Sequence, residues 1–219
     1  MKLLLSKAGA ASLALLLSGT ALAGNDYGIG VKAGTLGLGV EGTWRPLPYM
    51  DVRFGANAFD YDDAGSQAGI NYDATLNLDT YYATANFRFP LSPFRVTAGV
   101  YSNGNELNLI SQDSLTYDIG GQTYSSAEVG DLRSTTSFAD TAPYVGVGYD
   151  FSLFGKVGLN LDFGLLWQGE ADVTLTSDGL AANDPQFQAA LEAERRELED
   201  EVKDYKAWPV VSLGFVVNF

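Results

Sequence analysis

A 219-residue chain with a formal net charge of −14 repels nucleic acid, and no basic stripe in it overrides that field. Its 25 glycines, 12 tyrosines and 12 phenylalanines, with no long apolar run after the N-terminus, fit strands with a small-residue interior and exclude a bundle of membrane helices. The absence of cysteine removes disulfides and thiol chemistry. The absence of histidine removes the usual general base near neutral pH and the commonest metal ligand, so no catalytic centre, metal site or cofactor is expected.

Met1–Ala23 reads as a cleaved secretory signal peptide. Lys2 and Lys7 form a positive start, Ala8–Leu17 an apolar centre, and Ala21-Leu22-Ala23 a small-residue cleavage site. One β-domain is expected over residues 24–219. Along it, apolar and small or polar residues alternate with period two, the pattern of a strand with two unlike faces. Tyr27–Ala33 and Leu36–Arg45 flank a tight Gly34-Thr35 turn; Asp51–Ala58 follows a Pro46-Leu47-Pro48 breaker. Tyr81–Phe89, Phe94–Tyr101, Tyr144–Phe151, Val157–Gln168 and the last stretch from Pro209 bring the count to eight.

Connections after strands two, four and six are short, and those after three, five and seven are long. In a membrane barrel, short turns face the periplasm and long loops face outside, so both termini are expected on the periplasmic side. Trp44, Phe87, Phe89, Phe94, Tyr149, Phe151 and Phe219 take the outward phase beside the short turns, as an interfacial belt would.

The inward phase carries Lys32, Glu41, Arg45, Asp51, Arg53, Arg88, Arg95, Asp150 and Asp162. The lumen of eight strands is just wide enough to be filled by side chains, and buried charges must pair. A salt-bridged plug is therefore expected. Arg45 should lie opposite Asp51 and Glu41 diagonal to Arg53, with Asp51, Asp150 or water relieving the facing pair Arg88 and Arg95. A narrow gated path is the alternative.

Above the membrane span the phase inverts. Phe59, Tyr61, Leu76, Leu78, Leu107 and Leu109 turn inward, and Leu76 should face Leu107. Trp208, also inward, joins them at the outer mouth. This upper cluster is expected to be a small core inside a protruding tube, with an apolar pocket as the alternative. Val173 and Leu175 break the phase, which a bulge near Gly169-Glu170 or packing under a loop would explain. Asp60–Gly69 and Ser111–Asp140 read as mobile loops; a solvated acidic loop is the expectation for Asp60, Asp62 and Asp63, since no EF-hand spacing is present. Asp184 should cap a helix with Pro185 at its first position, and the stripe Phe187, Leu191, Leu198, Val202 and Tyr205 should lid the upper cluster.

The final stretch ends on an aromatic residue, with Val211, Leu213, Phe215 and Val217 at every second position before Phe219. It resembles the closing strand of bacterial outer-membrane β-barrels. Over Gly24–Phe219 the pattern resembles the small eight-stranded outer-membrane proteins of the OmpA-barrel, OmpX and OmpW kind. The resemblance implies an antiparallel up-and-down barrel in a Gram-negative outer membrane, monomeric, contacting outer-membrane lipids and lipopolysaccharide. It also implies that Val211, Leu213, Phe215, Val217 and Phe219 form the signal read by the barrel-assembly machinery, with periplasmic chaperones acting earlier. The function expected is non-enzymatic, structural in the envelope or interacting at the surface. A narrow channel or carrier for small, possibly hydrophobic, solutes, as in the OmpW-like class, is the second reading.

Overall fold

The computed structural model describes residues 26–67, 70–111, 115–153 and 156–219; the signal segment expected at Met1–Ala23 lies outside the described residues. In chain order the strands are β1 (Tyr27–Gly34), β2 (Gly37–Leu47), β3 (Met50–Gln67), β4 (Ile70–Arg88), β5 (Phe94–Asn103), β6 (Glu106–Ser111), β7 (Thr116–Ile119) and β8 (Gln122–Ser125). After helix α1 (Ser126–Val129) come β9 (Leu132–Ser137), β10 (Thr141–Leu153), β11 (Val157–Trp167), β12 (Asp172–Ser177), helix α2 (Pro185–Val202) and β13 (Ala207–Asn218).

Eight strands close on themselves in the order β4-β3-β2-β1-β13-β11-β10-β5, with β5 returning to β4, every neighbour antiparallel. Closure leaves the ring without a free sheet edge, as strands in lipid require. The alternation sets the two surfaces. On β13, Val211, Leu213, Phe215 and Val217 are exposed outward, while Val210, Ser212, Val216 and Asn218 are buried inward. The aromatic belt lies on the same outer surface. Phe87 meets Phe89 edge-on at 5.5 Å, Phe89 meets Phe94 at 5.6 Å, and Tyr149 meets Phe151 at 4.8 Å.

Above the ring the expected tube is instead an open sheet. β3 and β4 continue as a long hairpin to Gln67 and Ile70, so 60–67 is strand where a mobile loop was expected. β6 pairs with upper β4, β9 with β6, and β12 with β9. Leu76 faces Leu107, in the register expected. The β2–β3 ladder, however, ends at Leu38 opposite Ala58, and above it β3 is an edge. Phe59 and Tyr61 therefore share a face with Leu78 and Leu76 but are 44% and 52% exposed, not buried in a cluster.

The phase break on strand seven is a break in the chain. Residues 168–171 interrupt the strand, with Gly169 at φ +78°, a conformation that suits glycine. Beyond it Val173 faces Thr136 and Leu175 faces Ser134, in the same cross-strand rows as Leu107 and Leu109. Ser111–Asp140, expected as a mobile loop, holds the β7–β8 hairpin, α1 and β9. Tyr117, Ile119 and Val129 from this segment bury against Phe187, Ala190 and Leu191 of α2, with Leu175 beside them. Asp184 caps α2 by accepting from the Gln186 and Phe187 N–H groups. The helix thus spans the upper sheet from the β7–β8 hairpin to the top of β13.

Candidate functional site

The inward side chains of the ring form two layers. The lower one joins four cations, Lys32, Arg53, Arg88 and Arg95, to four carboxylates, Glu41, Asp51, Asp150 and Asp162. Arg53 reaches Glu41 at 3.2 Å, Asp51 at 3.2 Å and, across the bore, Asp150 on β10 at 3.5 Å. Arg88 and Arg95 do face each other on β4 and β5. Asp51 at 2.5 Å and Asp150 at 3.0 Å take Arg88, while Asp150 at 3.0 Å and Asp162 take Arg95. Neutral residues complete the set. Asn86 donates to Asp51 at 2.8 Å and accepts from Arg95 and Thr97 at 3.2 and 2.6 Å. Asn160, with its amide turned to suit, donates to Asp150 and accepts from Arg53.

Arg45 follows Trp44, which pairs with Val52, and it donates to Asn218 at 2.9 Å, because barrel closure brings β13 to that end of β1 and β2. Glu41 is diagonal to Arg53, as expected, and Lys32 is the third member of that group at 3.9 Å.

The upper layer is aromatic. Tyr82 and Tyr101 stack at 4.8 Å, Tyr144 lies 5.3 Å from Tyr101, and Leu36, Ala142, Leu166 and Val210 pack around them. The Tyr82 hydroxyl donates to Glu41 at 2.7 Å and the Lys32 ammonium lies 3.9 Å over its ring, so the layers are joined. Sequence reasoning placed these tyrosines inward but singled out only the charges. The overlooked signal was glycine: a Cβ on Gly55 would collide with Tyr82, on Gly146 or Gly164 with Tyr144, and on Gly148 with Arg95. Small residues are where the large inward side chains lie. What remains at the junction of the layers is a cavity of about 10 Å³, roughly one water in size.

Above the tyrosine layer is a second, larger space. Leu76, Leu78, Leu107 and Trp208, expected as a filled core, line a cavity of about 470 Å³ whose far wall is Val202 and Tyr205 at the end of α2. The upper sheet is open, so these side chains have no opposing strand to close onto. Leu109 lies one row higher and, with Phe59 and Tyr61, is outside the lining. Among the described residues no group of acidic side chains is placed to hold a metal ion, and Asp62 accepts from the Thr75 hydroxyl at 2.8 Å.

No protein-family model matches the chain, and no curated protein matches its sequence. Solved structures do. The crystal structure of Acinetobacter baumannii CarO2 superposes with a TM-score of 0.61 at 22% identity, covering 88% of this chain and 98% of that one. Acinetobacter baumannii CarO gives 0.57 at 23% identity, covering 88% and 97%. The likeness is one of fold: a small, closed, eight-stranded antiparallel barrel.

Proposed function

We propose that this chain is a non-enzymatic integral outer-membrane barrel with a sealed lumen, serving the envelope or presenting its upper sheet and α2 at the cell surface. The observation that carries this reading is the doubly filled bore. Four cations balance four carboxylates, and three tyrosines close the level above. In this reading the termini are periplasmic, the outward apolar surface meets lipid, the rim meets lipopolysaccharide, and Val211 to Phe219 guide assembly. Planar-bilayer recording of the mature protein should show no discrete openings. Reproducible unitary conductance would sink the sealed-lumen reading and favour a narrow channel.

The outer face of α2 is held by surface ion pairs. Arg195 and then Arg196 donate to Glu192 and hold its carboxyl down at about 2, below the ordinary 4.5. A depressed folded value contributes stability that is present above the unfolded value and lost as pH falls through the folded one. Hydrogen-exchange protection of α2 should therefore be level from pH 7 to 5 and fall between about 4.5 and 2. Protection that fell instead between pH 7 and 5 would assign the loss to other groups.

A further inference from the structure

We propose that the cavity above the tyrosine layer is a binding site for an uncharged, mainly apolar small molecule. Its size, about 470 Å³, lies in the range of small-molecule sites. Its walls are leucines of the sheet on one side and Val202, Tyr205 and Trp208 on the other. It is accessible from the side. The β2–β3 ladder stops at Ala58, and the β1–β2 turn is pinned low against β13, where Thr35 donates to the Pro209 carbonyl at 2.8 Å and accepts from the Val211 N–H at 3.1 Å. Among the described residues no strand stands over that turn, and Thr35 is part of the lining.

The lining selects an uncharged ligand. Its side chains are mainly apolar, so a charged group placed there gives up hydration with little in return. A carboxylate would lie beside Glu106, which also lines the cavity, in a chain of net charge −14. An ammonium would find, among the lining residues, that one carboxylate, which Asn108 already engages. The site is independent of the sealed lumen below it and would hold ligand whether or not the plug conducts.

The test uses the mature protein in lipid nanodiscs, with 1-octanol, octanoate and octylammonium as probes and the Trp208 indole N–H resonance as reporter, assigned with Trp208→Phe. 1-Octanol is expected to give a saturable, one-to-one shift of Trp208, with both charged congeners at least tenfold weaker and Trp44 and Trp167 unmoved. Thr136→Trp, or Leu107→Phe should that variant fold poorly, should fill the space and abolish the shift. Three results would each overturn the proposal: no saturable shift, equal shifts at all three tryptophans through bilayer partitioning, or equal binding of a charged congener.

Discussion

Arg95→Met is expected to destabilise the barrel by about 3 kcal/mol, the low end of the roughly 3–5 kcal/mol that follows removal of one partner from a buried ion pair. Arg95 is 1% exposed, and its guanidinium meets Asp150, Asp162, Asn86 and Thr97. Without it, Asp150 keeps Arg53 and Arg88, whereas the contact left to Asp162 is the Ser212 hydroxyl at 3.5 Å. The side chains of Asp150 and Asp162 are 13% and 15% exposed, so water offsets part of the loss. Adding Asp162→Asn should then recover about 1 kcal/mol, since neighbours in one network couple by roughly 0.5–3 kcal/mol. Urea unfolding in lipid vesicles, followed by tryptophan fluorescence, measures both steps. A single variant as stable as the parent, or a double variant that loses the sum of the singles, would show that the charges are not coupled. On the sealed-lumen reading the single variant should stay non-conducting, because Tyr82, Tyr101 and Tyr144 keep their contacts with one another.

How much of this was readable in the sequence depended on the range of the signal. Period two is local, and it set the charges on one phase and the belt aromatics on the other, while the register of Phe89 opposite Phe94 put Leu76 across from Leu107, where it lies. It could not report closure. Phe59 and Tyr61 have the inward phase, but burial also needs a neighbour beyond β3, and the β2 ladder has already ended. Arg45 meets Asn218 through the β1–β13 seam, a contact between the two ends of the domain that no hairpin register reveals. β9 was missed for a different reason. Its sequence, Leu-Arg-Ser-Thr-Thr-Ser, has almost no apolar contrast, and its place in the sheet is set by β6 and β12 on either side. The parity reversal at Val173 rests on one backbone event, positive φ at Gly169. Sequence periodicity allowed that break without distinguishing it from packing under a loop.

Phe187→Ala is expected to separate the upper structure from the barrel as a second cooperative unit. Phe187 is 1% exposed, meets Tyr124 edge-on at 4.9 Å, and lies among Tyr117, Ile119, Val129 and Leu191. Truncating a buried phenylalanine costs about 3–5 kcal/mol. None of these contacts belongs to the closed ring, so the loss falls on α2 and the β7–β8 hairpin. Released from packing, α2 keeps its N-cap and its ion pairs but loses the tertiary burial that supplies most helical stability in proteins. Tryptic cleavage at Arg195 and Arg196 should accelerate about a hundredfold or more, each 1.4 kcal/mol being a factor of ten in the open population. The urea midpoint of the barrel should stay within error of the parent. Cleavage unchanged would mean that α2 is held elsewhere, through its ion pairs or its contact with β12. A barrel midpoint that fell together with protease resistance would mean that sheet and ring unfold as one, and that the two strand interruptions, residues 104–105 between β5 and β6 and residues 168–171 between β11 and β12, do not divide the molecule energetically.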